Sequence, residues 1–157
     1  MNEFDIDIGL ITANEITHED IQSYIFERKQ AVAVIAKDHP CWQLKDHMIE
    51  RLGDISLLLP SYRNVYYEIS KDLTEKYKIT PPIIEDINQL VVIQKLTEAG
   101  VGWSIVSESM VSDKLKKIPI MKDKFYINNA CIYNKRKELS RPAKALLDIC
   151  KEYTSNI

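Results

Sequence analysis

The chain has 157 residues, 45% of them hydrophobic and 28% charged, which is the composition of one folded domain with its own core. Its formal net charge of -2 argues against a free-standing nucleic-acid-binding protein, because phosphate recognition needs a concentrated excess of lysine and arginine. Three cysteines at irregular spacing and the lack of a long apolar run predict a cytoplasmic protein with free thiols.

Strands and helices alternate along the predicted chain. Apolar runs rich in β-branched or alternating residues predict strands over residues 4–12, 30–36, 55–59, 79–85, 103–106, 118–121 and 125–133. Apolar residues at helical spacing predict helices over residues 41–52, 65–77, 87–99, 109–115 and 140–153. The polar stretch 13–23 predicts a loop. From this order we expect an α/β fold that is Rossmann-like, with a mostly parallel sheet and helices on both faces.

Particular residues mark the ends of the predicted helices. Asp86 is expected to cap a helix that Gly100 ends, since a glycine just past the last turn adopts a left-handed conformation without steric cost. Either Ser61 or Asn64 can cap the preceding helix. Ser140 is expected to cap the last helix. Four residues of that last helix are predicted to face the core: Ala145, Leu146, Ile149 and Tyr153.

No catalytic or cofactor motif stands out. A nucleotide site needs a glycine-rich turn between a strand and the helix after it, whereas Gly100 and Gly102 lie between a helix and a strand. The chain has no Gly-x-Ser-x-Gly sequence to mark a hydrolase nucleophile. His39, Cys41 and His47 match no common zinc-ligand spacing. We therefore expect no enzymatic activity, no metal site and no cofactor.

Small polar residues follow several predicted strands. Ligands of open α/β sheets bind beyond the carboxyl ends of the strands, where helix N-termini favour an anion or a carboxylate. Ser61 is the best placed residue for such a contact. A plain helix cap is the alternative role for Ser61, and one hydroxyl can serve both roles. The candidates at strand ends are Thr12, Pro60, Ser61, Tyr62, Ser104 and Ser107.

Four short motifs then occur in a fixed order along the chain. Residues 4–10 read Phe-Asp-Ile-Asp-Ile-Gly-Leu, residues 31–40 end in Asp-His-Pro, residues 90–107 contain Glu-Ala-Gly-Val-Gly, and residues 137–147 contain Leu-Ser-Arg-Pro-Ala. In this order they resemble the effector-binding domain of LysR-type transcriptional regulators, whose fold is shared with type 2 periplasmic binding proteins. The sequence departs from the family pattern at Ser107, where a proline is usual, and at Trp103, which is bulkier than the usual residue.

The resemblance implies an effector-binding domain over residues 1–157. Residues 13–115 would form its second lobe, and residues 1–12 and 116–157 a remnant of its first lobe. The family's winged helix-turn-helix and part of its first lobe are not in this sequence, so we expect no direct DNA binding by this chain. Family members bind a small metabolite, here expected to be anionic, in a cleft between the lobes. Carried over by position, the cleft residues would be Thr12, Pro60, Ser61, Tyr62, Trp103 and Ser104.

The resemblance also implies a protein partner, either a second copy of the chain or a full-length regulator. The apolar strand that begins at Phe4 has no predicted neighbour close to it in sequence, and exposed apolar edges recruit other chains. The alternative function is therefore a ligand-free dimerisation module derived from such a regulator. Because much of the first-lobe side of the cleft is missing, we predict weak or absent binding of a small carboxylate by this chain alone.

Overall fold

The computed structural model describes residues 6–13, 15–62, 64–121 and 124–155. Its strands and α-helices are, in chain order, β1 (Ile8–Ala13), β2 (Ile21–Ala36), α1 (Met48–Arg51), β3 (Leu57–Leu58), α2 (Val65–Tyr77), β4 (Ile83–Ile84), α3 (Leu90–Glu98), β5 (Trp103–Ser107), β6 (Leu115–Lys117), β7 (Phe125–Asn134) and α4 (Arg141–Ser155). Helices of the 3-10 type occupy Pro40–His47, Leu52–Asp54 and Glu108–Met110. Among the described residues, no helix combines the length and the apolar character that crossing a membrane requires.

The chain divides into two compact units. Unit 1 comprises Met1–Lys29 and Tyr126–Ile157, and unit 2 comprises Gln30–Phe125. The resemblance predicts lobe boundaries after residues 12 and 115. Unit 1 instead continues to Lys29, so it also contains the predicted loop at 13–23 and the first part of β2.

In its described residues, unit 1 is a small sheet with one helix. Its strand order is β1, β7, β2, and β1 runs antiparallel to β7, with Ile8 opposite Tyr133. The first predicted strand is thus confirmed from Ile8 onward, and its residues 4 and 5 lie outside the described part of the chain. Its predicted apolar face is only partly covered, because Ile6 is 72% exposed and Leu10 is 56% exposed while Ile8 is half-buried.

The buried face of α4 differs from the predicted one. Ala143, Leu147 and Cys150 are buried, and Cys131 of β7 joins Leu147 and Cys150 in one apolar cluster. Two of the predicted core residues are exposed instead, Ile149 by 60% and Tyr153 by 47%. Of the other two, Ala145 is also exposed and Leu146 is half-buried. Both stripes of α4 carry apolar residues, so the contact with β7, rather than the helix alone, decides which one is buried.

Strand β2 begins earlier than predicted. The sequence predicts a strand over residues 30–36 and a loop before it, whereas β2 already starts at Ile21. Glu27, Arg28 and Lys29 interrupt the apolar pattern in the first half of β2, so the sequence did not predict a strand there. In the structure they have partners that a strand tolerates: Lys29 pairs with Glu27 at 3.2 Å, and the Arg28 guanidinium lies 4.6 Å from the centre of the Tyr126 ring.

Unit 2 holds a mixed sheet. The second half of β2 pairs antiparallel with β5 and with β6, whereas β5 pairs parallel with β3 and β3 pairs parallel with β4. The α/β class is confirmed, and over the described residues of unit 2 the parallel pairs are β4–β3 and β3–β5. Parallel neighbours need a crossover connection, which α2 and α3 supply. Between β2 and β3 there are only short 3-10 segments and the four-residue α1, so these strands are not held parallel.

Several predicted element ends in unit 2 are corrected. Asp86 does not cap a helix: it has a left-handed backbone with φ of 63°, and α3 begins only at Leu90, after Gln89. The predicted helix at 41–52 is largely a 3-10 helix, and the predicted helix at 109–115 is a 3-10 turn that ends at Met110, with β6 beginning at Leu115. Gly100 ends α3 as predicted, with φ of 77°. The core of this unit gathers apolar residues from strands and α3: Val32, Val34, Leu58, Ile93, Val106 and Leu115.

Candidate functional site

β3 and β4 end at the same edge of the sheet in unit 2, because they run parallel. Their pairing continues past the strands. The Leu59 N–H donates to the Ile84 carbonyl at 2.8 Å, and the Ile87 N–H donates to the Leu59 carbonyl at 3.3 Å. The turn Pro60–Tyr62, which follows β3, therefore lies beside Asp86, which follows β4.

The N-terminus of α2 opens onto this turn. Asn64 caps the helix, because its side-chain oxygen Oδ1 accepts a hydrogen bond from the Tyr66 N–H at 3.0 Å. The Asn64 N–H donates in turn to the Ser61 carbonyl at 3.0 Å. Of the two predicted caps, Asn64 is therefore the one that the helix uses. The first amide of a helix has no partner within the helix, so Val65 N–H is the group through which α2 would meet an anion.

The three predicted residues of the turn differ in exposure. Pro60 is buried, Ser61 is half-buried, and Tyr62 is 63% exposed. The turn thus presents one hydroxyl and one phenol ring beside a helix N-terminus. A hydroxyl, a phenol and backbone amides all donate hydrogen bonds to oxygen, and none of them adds a full charge. Such a set can donate hydrogen bonds to a carboxylate or another oxyanion without the desolvation cost of a buried cation, although the Asp86 carboxylate beside the turn opposes an anion.

Trp103 and Ser104 lie in the core of unit 2. Both have 0% exposure. The Trp103 indole N–H lies 3.1 Å from the Ile55 carbonyl and 3.3 Å from the Leu52 carbonyl, so both are hydrogen-bond acceptors for it. The Ser104 hydroxyl lies 2.9 Å from the Thr97 hydroxyl of α3. Their contacts are therefore structural: they hold β5 to the 3-10 segment and to α3, and the structure does not bring them to the surface turn.

Thr12 belongs to unit 1, where it lies on β1 with an exposed side chain. Its hydroxyl donates to Asn129 Oδ1 at 2.8 Å, and Asn129 Nδ2 donates to Glu27 Oε2 at 2.6 Å. Thr12 and Asn129 are also opposite each other in the β1–β7 register. Thr12 is thus one end of a polar row that crosses β1, β7 and β2.

The charge at the other end of this row is carried by Glu27. Partial burial raises the pKa of Glu27, but the hydrogen bonds from Asn129 and Lys29, together with the Lys29 charge, lower it more. The pKa of Glu27 is therefore below its ordinary value, and its carboxylate is ionised at neutral pH. The Tyr153 hydroxyl reaches its second oxygen, Oε1, at 3.4 Å. This fixed anion orients the Asn129 amide and, through it, the Thr12 hydroxyl.

The histidines and Cys41 close turns in the structure. His39 Nδ1 accepts from the Cys41 N–H at 3.1 Å, and His47 Nδ1 lies 3.2 Å from Glu50 Oε2. Over the described ranges, no group of three or more histidine, cysteine or acidic side chains is arranged to hold a metal ion.

A groove of about 360 Å³ also opens on unit 2, and none of the predicted ligand-binding residues lines it. It runs over the 3-10 segment and the residues after α1, and its lining is mostly apolar. The lining residues are His39, Pro40, Cys41, Gln43, Leu44, Arg51, Asp54 and Ile55.

Sequence reasoning missed two residues that lie next to the predicted ones. Asp86 was expected at a helix start, but its left-handed backbone at the end of β4 puts it beside the turn at Ser61. Asn129 lies within a predicted strand, and only the pairing of β1 with β7 brings it to Thr12. The run of polar residues that starts at Glu85, after Ile83 and Ile84, was a signal for the first. The second had no local signal, because it depends on strand register.

Comparison with known proteins places this arrangement in one family. A family profile described as the LysR substrate binding domain matches residues 1–155. The malolactic fermentation system transcriptional activator of Lactococcus lactis subsp. lactis (strain IL1403) is 27% identical over 158 residues, which cover 96% of this chain and 53% of the relative. The chain thus spans about half the length of that relative.

Two solved structures have the same fold. The CcmR regulatory domain of Synechocystis PCC6803 in complex with 2-PG superposes with a TM-score of 0.77 at 18% identity, covering 98% of this chain and 76% of that one. The effector binding domain of QuiR in complex with shikimate gives a TM-score of 0.69 at 21% identity, covering 94% and 72%. These identities establish the fold alone. Because the family profile spans nearly the whole sequence, the chain belongs to the LysR substrate-binding domain family.

Proposed function

We propose that this chain is the effector-sensing and dimerisation domain of a LysR-type regulator and that it binds a small anionic metabolite at the turn Pro60–Tyr62. The observation that carries the proposal is the N-terminus of α2 at the shared carboxyl edge of β3 and β4. The Ser61 hydroxyl and the Val65 N–H are the donors for one carboxylate oxygen each. Tyr62, which is 63% exposed, supplies an aromatic face for the body of the ligand.

Two solved structures with the same fold support the proposal that the ligand is a small molecule. CcmR was solved with 2-PG and QuiR with shikimate, so both compounds are suitable first probes. Pro60, which is buried, shapes the turn without contacting the ligand. Trp103 and Ser104 have no exposed surface, so in this proposal they hold β5 in the core of unit 2 and do not touch the ligand.

Thr12 is proposed as a second, independent contributor to effector binding. Its hydroxyl is exposed and held by Asn129, which is itself held by Glu27. A hydroxyl with a fixed acceptor keeps its remaining lone pairs directed outward, towards ligand donors. Thr12→Val keeps the β-branched shape and removes the hydroxyl, so it tests this role without a change in strand propensity.

Isothermal titration of the 157-residue chain with 2-PG, shikimate and a series of short mono- and dicarboxylates tests the turn. We expect weak affinity for at least one anion, and Ser61→Ala should weaken it by roughly ten- to hundredfold, since a hydrogen bond to a charged group contributes about 1.5–3 kcal/mol. Ser140→Ala is the matched control. It makes the same substitution at the start of α4, where the Ser140 hydroxyl oxygen accepts from the Ala143 N–H.

The outcomes separate the alternatives. Equal loss of affinity in both serine variants would show a general effect on stability, and an unchanged affinity in Ser61→Ala would remove the turn from the proposal. Binding at submicromolar affinity would contradict our expectation that this chain binds carboxylates only weakly. No heat with any probe, together with a stable dimer, would favour the ligand-free dimerisation module. We predict no catalytic turnover of any of these compounds.

The second candidate function, self-association, has its own supporting observation. β1 is at the end of the strand order, and Ile6 and Leu10 are 72% and 56% exposed there. An apolar edge strand pairs readily with another chain. We propose that β1 is the edge through which two copies of the chain, or this chain and a full-length regulator, associate.

Light scattering over a concentration series tests this second proposal. Leu10→Lys places a charge on the β1 edge and should shift the dissociation constant of a dimer by at least tenfold. Leu44→Lys is the control, since Leu44 is an exposed leucine (41%) of unit 2. A monomer at all concentrations, or an equal effect of both substitutions, would rule out the β1 edge.

A further inference from the structure

Unit 1 contains a pair of buried thiols in direct contact. Cys131 lies on β7 and Cys150 on α4, with exposures of 0% and 7%. The Cys131 thiol donates to Cys150 Sγ at a sulfur–sulfur distance of 3.1 Å. Both belong to an apolar cluster that also contains Leu147. No step of the proposed effector binding uses these thiols, and their contact joins the single helix of the unit to its middle strand.

The spacing of the two sulfurs suits a covalent bond between them. A disulfide has a sulfur–sulfur bond of about 2.05 Å, so a movement of roughly 1 Å, shared between two side chains, is sufficient. The two cysteines are 19 positions apart and lie on different elements, so the bond would close a sizeable loop. Because both side chains already point at each other, neither β7 nor α4 has to change its register.

We propose that Cys131 and Cys150 are a modification site, at which a small hydroperoxide oxidises the two thiols to an intramolecular disulfide. Cys150, the more exposed of the two, reacts first. Its sulfur attacks the hydroperoxide, the O–O bond breaks, and Cys150 sulfenic acid and an alcohol, or water from hydrogen peroxide, are formed. Cys131 then attacks the Cys150 sulfur, the S–S bond forms, the S–O bond breaks, and water leaves with the Cys131 proton. The two electrons given up by the thiols reduce the peroxide.

The surroundings set the speed of this reaction. Burial raises the pKa of the Cys131 thiol to about 12, and the neighbouring Cys150 adds to the effect. The Cys131 thiolate is therefore rare, and we expect the disulfide to form more slowly than it would between two exposed thiols. Once Cys150 carries an oxygen, its partner is already in contact, and this contact offsets the low thiolate fraction of Cys131 when the disulfide closes.

The disulfide would fix the C-terminal part of α4. Tyr153 and Thr154 follow Cys150 by one turn of the helix, and both contact β2: the Thr154 hydroxyl lies 3.3 Å from the Phe26 carbonyl, and the Tyr153 hydroxyl lies 3.4 Å from Glu27 Oε1. A cross-link at Cys150 restrains this turn against local opening. Oxidation therefore stabilises the contact between Tyr153 of α4 and Glu27, which lies at the opposite end of the polar row from Thr12.

Peptide mapping of the wild-type chain tests the proposal without any variant. The chain is incubated with hydrogen peroxide, denatured, alkylated and digested. We expect a cross-linked peptide pair joining Cys131 to Cys150, while Cys41 remains alkylatable. Cys41 is the internal control because it is also buried, at 3% exposure, but lies in unit 2. Dithiothreitol should restore both thiols, and the oxidised chain should melt at a higher temperature than the reduced chain.

Two variants separate the steps of the reaction. Cys131→Ser should leave Cys150 without its partner, so that a sulfenic acid accumulates there and is captured by dimedone. Cys150→Ser should leave Cys131 unreacted. Oxidation of Cys41 ahead of the pair, disulfides between chains, or sulfinic acid in place of the cross-link in the wild-type chain would each overturn the proposal.

Discussion

The start of β5 depends on a glycine that no other residue can replace. A Cβ on Gly102 would lie 2.1 Å from the Ser56 carbonyl oxygen and 3.0 Å from its carbonyl carbon. The Trp103 N–H donates to that same oxygen at 2.9 Å, so the two strand starts cannot separate without losing this bond. Gly102→Ala therefore combines steric overlap, which costs about 1–3 kcal/mol, with an unpaired buried group, which costs about 1–3 kcal/mol.

Gly100→Ala is the matched comparison for this prediction. Its Cβ would meet nothing within 4 Å, but its φ of 77° is left-handed. An alanine there pays only the conformational cost, about 1–2 kcal/mol. We expect Gly102→Ala to lower the free energy of unfolding by about 2–6 kcal/mol, well beyond Gly100→Ala.

Urea unfolding followed by tryptophan fluorescence distinguishes the two variants. Trp103, with 0% exposure, reports the packing next to Gly102, and a Trp42→Phe background removes the only other tryptophan signal. The expected order of midpoints is wild type, Gly100→Ala, then Gly102→Ala. A Gly102→Ala midpoint equal to or above that of Gly100→Ala would show that β3 and β5 are not held as close as the Ser56 contact requires.

Two further predictions concern the cap of α2 and the partly buried carboxylate of Glu27. Asn64→Ala removes the cap of α2 and should lower the free energy of unfolding by about 1 kcal/mol, whereas Ser61→Ala should have little effect on it; thermal melts of both variants check this contrast. Burial raises the pKa of Glu27, but the hydrogen bonds from Asn129 and Lys29 and the Lys29 charge lower it by more, to below its ordinary value of 4.5. The ionised Glu27 therefore stabilises the folded chain above pH 4.5, and this contribution is lost as the pH falls through the folded-state pKa. Melting temperatures between about pH 7 and pH 3 should therefore fall less steeply for Glu27→Gln than for the wild-type chain.

Features set by neighbouring residues were predictable from the sequence. Gly100 has the left-handed backbone expected after α3, and Asn64 was one of two candidate caps. The apolar run at β5 also emerged as a buried strand, with every residue from Trp103 to Ser107 buried. In each case the decisive interaction lies within one turn or one strand, so local spacing was sufficient.

Features set by distant partners were not predictable in the same way. The first half of β2 was not predicted because it contains three consecutive charged residues, Glu27, Arg28 and Lys29. Some of the contacts that accommodate their charges come from Tyr126 and Asn129, which are far away in sequence. The buried stripe of α4 likewise depends on the position of β7.

The candidate site residues show the same difference between features set by neighbouring residues and features set by distant partners. The turn at Ser61 follows directly from the strand-to-helix order, and the structure keeps it at the surface. The family resemblance named Trp103 and Ser104 as cleft residues, and Ser104 was also a candidate at a strand end, but β5 begins at Trp103, so both residues lie at its amino end. Their burial follows from the close approach of β5 to Ser56 and α3, which sequence spacing does not encode.

The brevity of β4 has a consequence for the behaviour of the chain in concentrated solution. This edge strand has only two residues, Ile83 and Ile84, which are 55% and 40% exposed, and it is preceded by Pro81 and Pro82. The prolines have no N–H, so a strand from another molecule would find almost no continuous ladder of donors on this side. Fibril growth by strand addition is therefore blocked at this edge even though its side chains are apolar.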